Sequence, residues 1–266
     1  MAILLLFAGI FVMYYNLSYA VPNFEYVVGN MGLIYILAVP LLSMRAIAEE
    51  RRQRTDQLLY ALPISMTKIV IGKYLAQLVV IALPIGVMAF YPLILTLFGT
   101  VNLATAYSCL FAYFMLGATL LAIGFFISTL TENQAIAAGV TFLVMLLNYY
   151  LASLLSFVPS SSEASLFALM TVALIVGAVL YLMTKNSVFA VGFALLGEIA
   201  LYFSQKIFPE RFENLFSEFV AKMSVFEQFY SFLDGIFDLT AVVYFGAVGF
   251  LFLYLSVQAL EKRRWS

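Results

Sequence analysis

The sequence predicts an all-α, polytopic membrane protein of about eight spans, within a range of six to eight. Three observations predict it. Of 266 residues, 65% are hydrophobic and only 10% charged, against roughly 25% charged in soluble domains. Mean hydropathy is +1.05, more apolar surface than a soluble fold can cover. The apolar residues also fall into runs of about 20, the length that crosses a bilayer.

Those runs are 2–20, 30–47, 67–97, 103–130, 134–157, 164–183, 187–206 and 239–258. The first has no basic residue before it, and a second run follows at once, so it reads as a retained span rather than a secretion signal. The third is longer than one crossing needs; Pro84 and Pro92 predict a kink or break near its outer end. Ser65 is placed to cap that span and Asp238 to cap the last one. Thr131-Glu132-Asn133 and Lys185-Asn186-Ser187 read as tight turns, and Pro159 with the serines after it as a loop. Ala118 and Ala122 form a small step suited to close helix packing. The whole chain, 1–266, reads as one membrane domain.

Loop charge sets the orientation. Placing 45–68 in the cytoplasm puts Arg45, Arg51, Arg52, Arg54, Lys68, Lys73, Lys185, Lys262, Arg263 and Arg264 there, ten of the 13 basic residues. Only Lys206, Arg211 and Lys222 stay outside, so the positive-inside rule places both termini in the cytoplasm. Outside, the apolar positions Phe208, Phe212, Leu215, Phe216, Phe219, Val220, Met223 and Phe226 step by three and four. They predict one amphipathic helix, within an external segment 208–236 that Gly235 breaks.

Composition excludes several activities. The chain has no histidine, which removes histidine triads, HExxH zinc sites and histidine proton relays. Gly72-Lys73 is followed by Tyr74 and lacks the spacing of a phosphate-binding loop, so no ATP hydrolysis is expected here. No catalytic residue, metal site or bound cofactor is read from the chain. No basic tract suggests nucleic acid as a partner. The single cysteine, Cys109, rules out an internal disulfide framework.

The most informative stretch is the charged insert after the second run. Glu49, Glu50, Arg51, Arg52, Arg54 and Asp56 carry both signs of charge, and Leu58, Leu59 and Tyr60 form an apolar knob before Pro63. Glu50 and Arg54 are spaced to pair on a helix, contributing about 0.3–0.5 kcal/mol. Charges that orient and a small apolar group that buries are what a docking helix needs. Two further readings stay open from the residues alone. Glu198, inside a predicted span, suggests an ion-gradient transporter using it as coupling carboxylate, since a mid-membrane acid must face protein or water. A non-transporting scaffold or sensor is the other. Asn148 and Tyr149 are candidate pathway residues beside Glu198.

The run Met44–Tyr74 resembles the region between the second and third spans of ABC-2 type transporter permeases. The matching positions are Glu49, Glu50, Arg51, Leu58, Leu59, Pro63, Ile64, Ser65, Lys68, Gly72, Lys73 and Tyr74. Ile127–Gln134 resembles the family's turn between its fourth and fifth spans, and Leu260–Trp265 the ending of its gliding-type permease subgroup. The resemblance implies a permease subunit, an exporter, in a bacterial plasma membrane. It implies a second permease subunit, the same chain or a paralogue, and separate ATPase subunits that hold ATP and Mg²⁺. The insert, residues 49–60, would be the coupling helix on which those ATPases act. An accessory protein is a candidate partner for the external helix. The family's common count is six spans, so 164–183 and 187–206 stand out as an additional pair.

Overall fold

The structure, a computed structural model, describes residues 2–54, 64–155, 161–184 and 187–264. Every regular element among these residues is a helix. Among the described residues, five segments are long and apolar enough to cross a membrane: Glu25–Arg52, Met66–Leu95, Leu103–Leu130, Gln134–Leu154 and Leu239–Arg263. The chain gathers into two compact units, one formed by Met1–Tyr149 with Val225–Ser266, the other by Tyr150–Ser224.

The first unit begins with α1 (Ala2–Phe11), which widens into a π-helical turn over Val12–Ser18. The expected first span is therefore not one regular helix. Asn16 lies buried in the π segment, and its side-chain amide donates to the Val21 carbonyl at 2.7 Å. Helix α2 (Glu25–Ser43) starts five residues before the expected span and ends four before its expected end. After it come α3 (Ala48–Arg52) and α4 (Met66–Met88). Pro84 is accommodated inside α4, which ends at Met88; α5 (Phe90–Leu95) resumes after Ala89, the break expected there. Ser65 stands at the N-cap of α4, but its side chain makes no capping bond, contrary to expectation.

Helix α6 (Leu103–Leu130) runs through the core of this unit. It packs against α2, α4 and the last helix, α13 (Leu239–Arg264). Its approach to α2 is very close. A Cβ added at Gly117 would lie 2.6 Å from the Tyr35 hydroxyl, and one at Gly124 would strike the Ser43 side chain. These two glycines make the tight contact with α2. Where lipid replaces water, such packing is what holds helices together. The Tyr35 and Tyr113 rings stack beside it with centroids 4.3 Å apart. On another face, the Thr119 hydroxyl donates to the Phe245 carbonyl of α13 at 3.2 Å.

The turn to α7 (Gln134–Leu155) is the one expected at 131–133. The Asn133 side chain accepts from the Ala135 amide at 2.9 Å, and its amide donates to the Thr131 hydroxyl at 3.2 Å. Asp238 caps α13 as expected, accepting from the Thr240 amide at 2.8 Å. Across this end of the unit, Arg263 of α13 pairs with Glu132 at 3.4 Å.

The second unit holds α8 (Ser162–Thr184) and α9 (Ser187–Ile207), 23 and 21 residues long. They pack side by side, and the Gln205 amide donates to the Ser162 hydroxyl at 3.1 Å. The turn expected at 185–186 lies outside the described residues.

The single amphipathic helix expected over 208–226 is not formed. Three short helices stand there: α10 (Pro209–Phe212), α11 (Leu215–Met223) and α12 (Val225–Leu233). Asn214 takes a left-handed conformation, φ 60°, and Ser224 an extended one; asparagine tolerates the first without a large penalty. The apolar period carries through both breaks, which is why periodicity alone joins the pieces. The last piece also has a different role. Phe226, Phe229 and Phe232 of α12 are fully buried in the first unit, against α6 and α2. Gly235, φ +80°, makes the turn after it.

Candidate coupling site

The charged insert is only part helix among the described residues. Helix α3 covers five residues and ends at Arg52, and Arg54 is left-handed with φ 57°. This geometry takes Arg54 off the helical register, so the expected Glu50–Arg54 pair does not form. Glu50 instead pairs with Lys73 of α4, both half-buried. Asp56, Leu58, Leu59, Tyr60 and Pro63 lie outside the described residues.

What holds α3 is a set of bonds from two longer helices. Lys73 also donates to the Ala46 carbonyl at 3.0 Å, and Gln77, one turn further along α4, donates to the Leu42 carbonyl at 3.1 Å. Leu42 belongs to the last turn of α2, whose final carbonyls have no partner within the helix. From α6, the Ser128 hydroxyl accepts from the amides of Ile47 at 3.2 Å and Ala48 at 3.1 Å. A helix needs its first amides capped. Ile47, at the N-cap of α3, has no oxygen to offer, so a serine 80 positions away does it.

Beneath these polar contacts is an apolar nest. Ile47 is buried with Met66 and Val70 of α4, Phe125 of α6 and Leu260 of α13. Three long helices therefore meet at the start of α3. Glu49 is half-buried, Arg51 is buried, and Arg52 and Arg54 are exposed. Charge thus reaches solvent on one side, while the other side is anchored. A displacement of α3 must pull on Lys73 and Ser128 together, while Gln77 ties α4 to the end of α2 just before it.

Lys73 was legible among the positions from Lys68 to Tyr74 that carry the resemblance, but its partner was not. Gln77 and Ser128 were missed. A polar side chain one turn beyond a lysine in an apolar run is a usable signal for the first. A serine near a helix end carries none for the second.

The three candidate pathway residues have separate settings. Asn148 of α7 accepts from the Val225 amide at 3.0 Å, so it caps α12 from a neighbouring helix. Tyr149 packs edge-on against Phe226, ring centroids 5.2 Å apart, and lines a cavity. Glu198 is half-buried on α9 in the second unit.

A family model described as ABC-2 family transporter protein matches residues 12–259, running through both units. This chain belongs to the ABC-2 transporter family. It is a multi-pass transmembrane permease component of an ABC transporter. No curated protein and no solved structure matches it. The part of this ABC-2 permease held by Lys73 and Ser128 is the same insert whose residues carried the family resemblance.

Proposed function

We propose that this permease is the membrane subunit of an ATP-driven exporter, and that a separate ATPase subunit acts on it through residues 49–60. The observation that carries the proposal is the junction at α3. A short segment with exposed arginines follows directly on α2 and is bonded at its base to α4 and α6, so force applied to it is passed to three long helices. The partner holds ATP and Mg²⁺. The insert and both termini face the cytoplasm of a bacterial plasma membrane, in line with the loop charges. A second permease subunit completes the pathway.

The test separates grip from transmission. Leu58→Asp with Leu59→Asp should abolish the ATP-hydrolysing activity that co-purifies with the tagged permease from its native membrane. Lys73→Met should leave that activity bound and remove its effect on the spans. ATPase that stays attached to the Leu58→Asp, Leu59→Asp variant would count against the docking assignment.

A further inference from the structure

At the end of α2 away from the junction, about 28 Å along the helix at 1.5 Å per residue, the first unit forms an open cavity of about 460 Å³. Cavities of roughly 300–1,000 Å³ hold drug-sized ligands. This one is walled by aromatic rings and edged by acids: Phe11, Tyr26, Tyr149 and Tyr230 with Glu25 and Asp234. None of its described lining residues is lysine or arginine.

The two carboxylates have different standing. Glu25 is in the first turn of α2, where the helix dipole favours an anion. Its Oε2 is nonetheless shut off from solvent without a hydrogen-bond partner. Asp234 directly follows the last residue of α12, the helix end whose dipole disfavours an anion. Neither acid forms an ion pair among the described residues. Asn30 donates its amide to the Tyr26 carbonyl at 2.7 Å, which leaves its side-chain oxygen as an acceptor. Burial, then a hydrogen bond with Tyr149, raise the Tyr230 phenol above its ordinary value, so it adds no charge at neutral pH.

The cavity is also built to close tightly on one side. A Cβ at Gly29 would lie 2.8 Å from the end of the Leu233 side chain, so any larger residue at position 29 makes that side chain move. Acceptors, two carboxyl groups outside any ion pair and ring faces in one cavity, with no lysine or arginine in its described lining, suit a hydrophobic organic cation. We propose that this cavity is a binding site for an amphipathic organic cation, held between Glu25 and Asp234 and over the rings of Tyr26, Tyr149 and Tyr230. The proposal does not depend on how ATP is coupled, because its test needs no ATPase.

Tetraphenylphosphonium and tetraphenylborate share a shape and differ in sign. Binding of each to the full-length chain in nanodiscs, with empty nanodiscs subtracted, decides the matter. Tetraphenylphosphonium should bind saturably, one per chain, and tetraphenylborate should not. Glu25→Gln and Asp234→Asn should each weaken the cation about tenfold, the size expected of one partly solvated charge. Asp234 is exposed, so Asp234→Lys leaves the fold intact and should abolish binding even if a Glu25 variant fails to fold. Equal binding of the two ions, no saturable binding, or unchanged affinity in the Asp234 variants would overturn the site.

Discussion

Single side chains do the joining in this permease, and several act far from their own position in the chain. Ser128 caps α3, and Asn148 caps α12. In each case a polar atom on a long helix satisfies the first amide of a short one. Ser128→Ala should cost about 1 kcal/mol, the usual value of a lost cap, read as a lower melting temperature in detergent and faster proteolysis within 45–54. Asn148→Ala should behave alike at 225, with faster amide exchange confined to the first turn of α12. Gly117→Leu should be far worse than either. Its side chain would drive into the Tyr35 hydroxyl, and overpacking a tight core costs about 1–3 kcal/mol or more; failure of the variant to yield a monodisperse protein is the expected reading.

Among the elements, α12 departs most from what the sequence suggests. Its apolar stripe has the signature of a helix lying on a surface, yet Phe226, Phe229 and Phe232 are buried inside the first unit. Phe229→Ala should therefore cost about 3–5 kcal/mol, measured by thermal melting. A loss below about 1 kcal/mol would mean that α12 lies on the surface after all. The long helices were legible because a lipid solvent demands length and apolarity together. The turn at 131–133, the Asp238 cap and the break near Pro84 were legible because each depends on residues adjacent in the chain. What stayed hidden depends on partners far away. The Lys73–Glu50 pair and the Ser128 cap are set by how α2, α4 and α6 converge. A left-handed Asn214 leaves no mark on apolar periodicity, so three helices read as one.

For the whole molecule, the two proposed roles fall at opposite ends of the first unit. One end gathers the insert, the Glu132–Arg263 pair and the ends of α2, α6 and α13. The other gathers α12, the start of α2 and the acidic cavity. Helix α6 runs between them and touches both α3 and α12. In the proposed exporter, motion entering at α3 can pass along α6 to α12, whose Tyr230 and Leu233 line the cavity. The transmembrane character follows from composition and from the family match; the proposed division of labour rests on which polar side chains the helices bring together.

The most direct measurement is a distance at the far end of the first unit while ATP is supplied at the near end. Spin labels at Phe98→Cys and Ile236→Cys, both exposed positions, would report it by pulsed EPR in the assembly with its ATPase. The account predicts that ATP shifts this distance in the otherwise unaltered protein, and that Lys73→Met removes the shift while ATP hydrolysis continues. An identical ATP-driven shift in the Lys73→Met protein would contradict it.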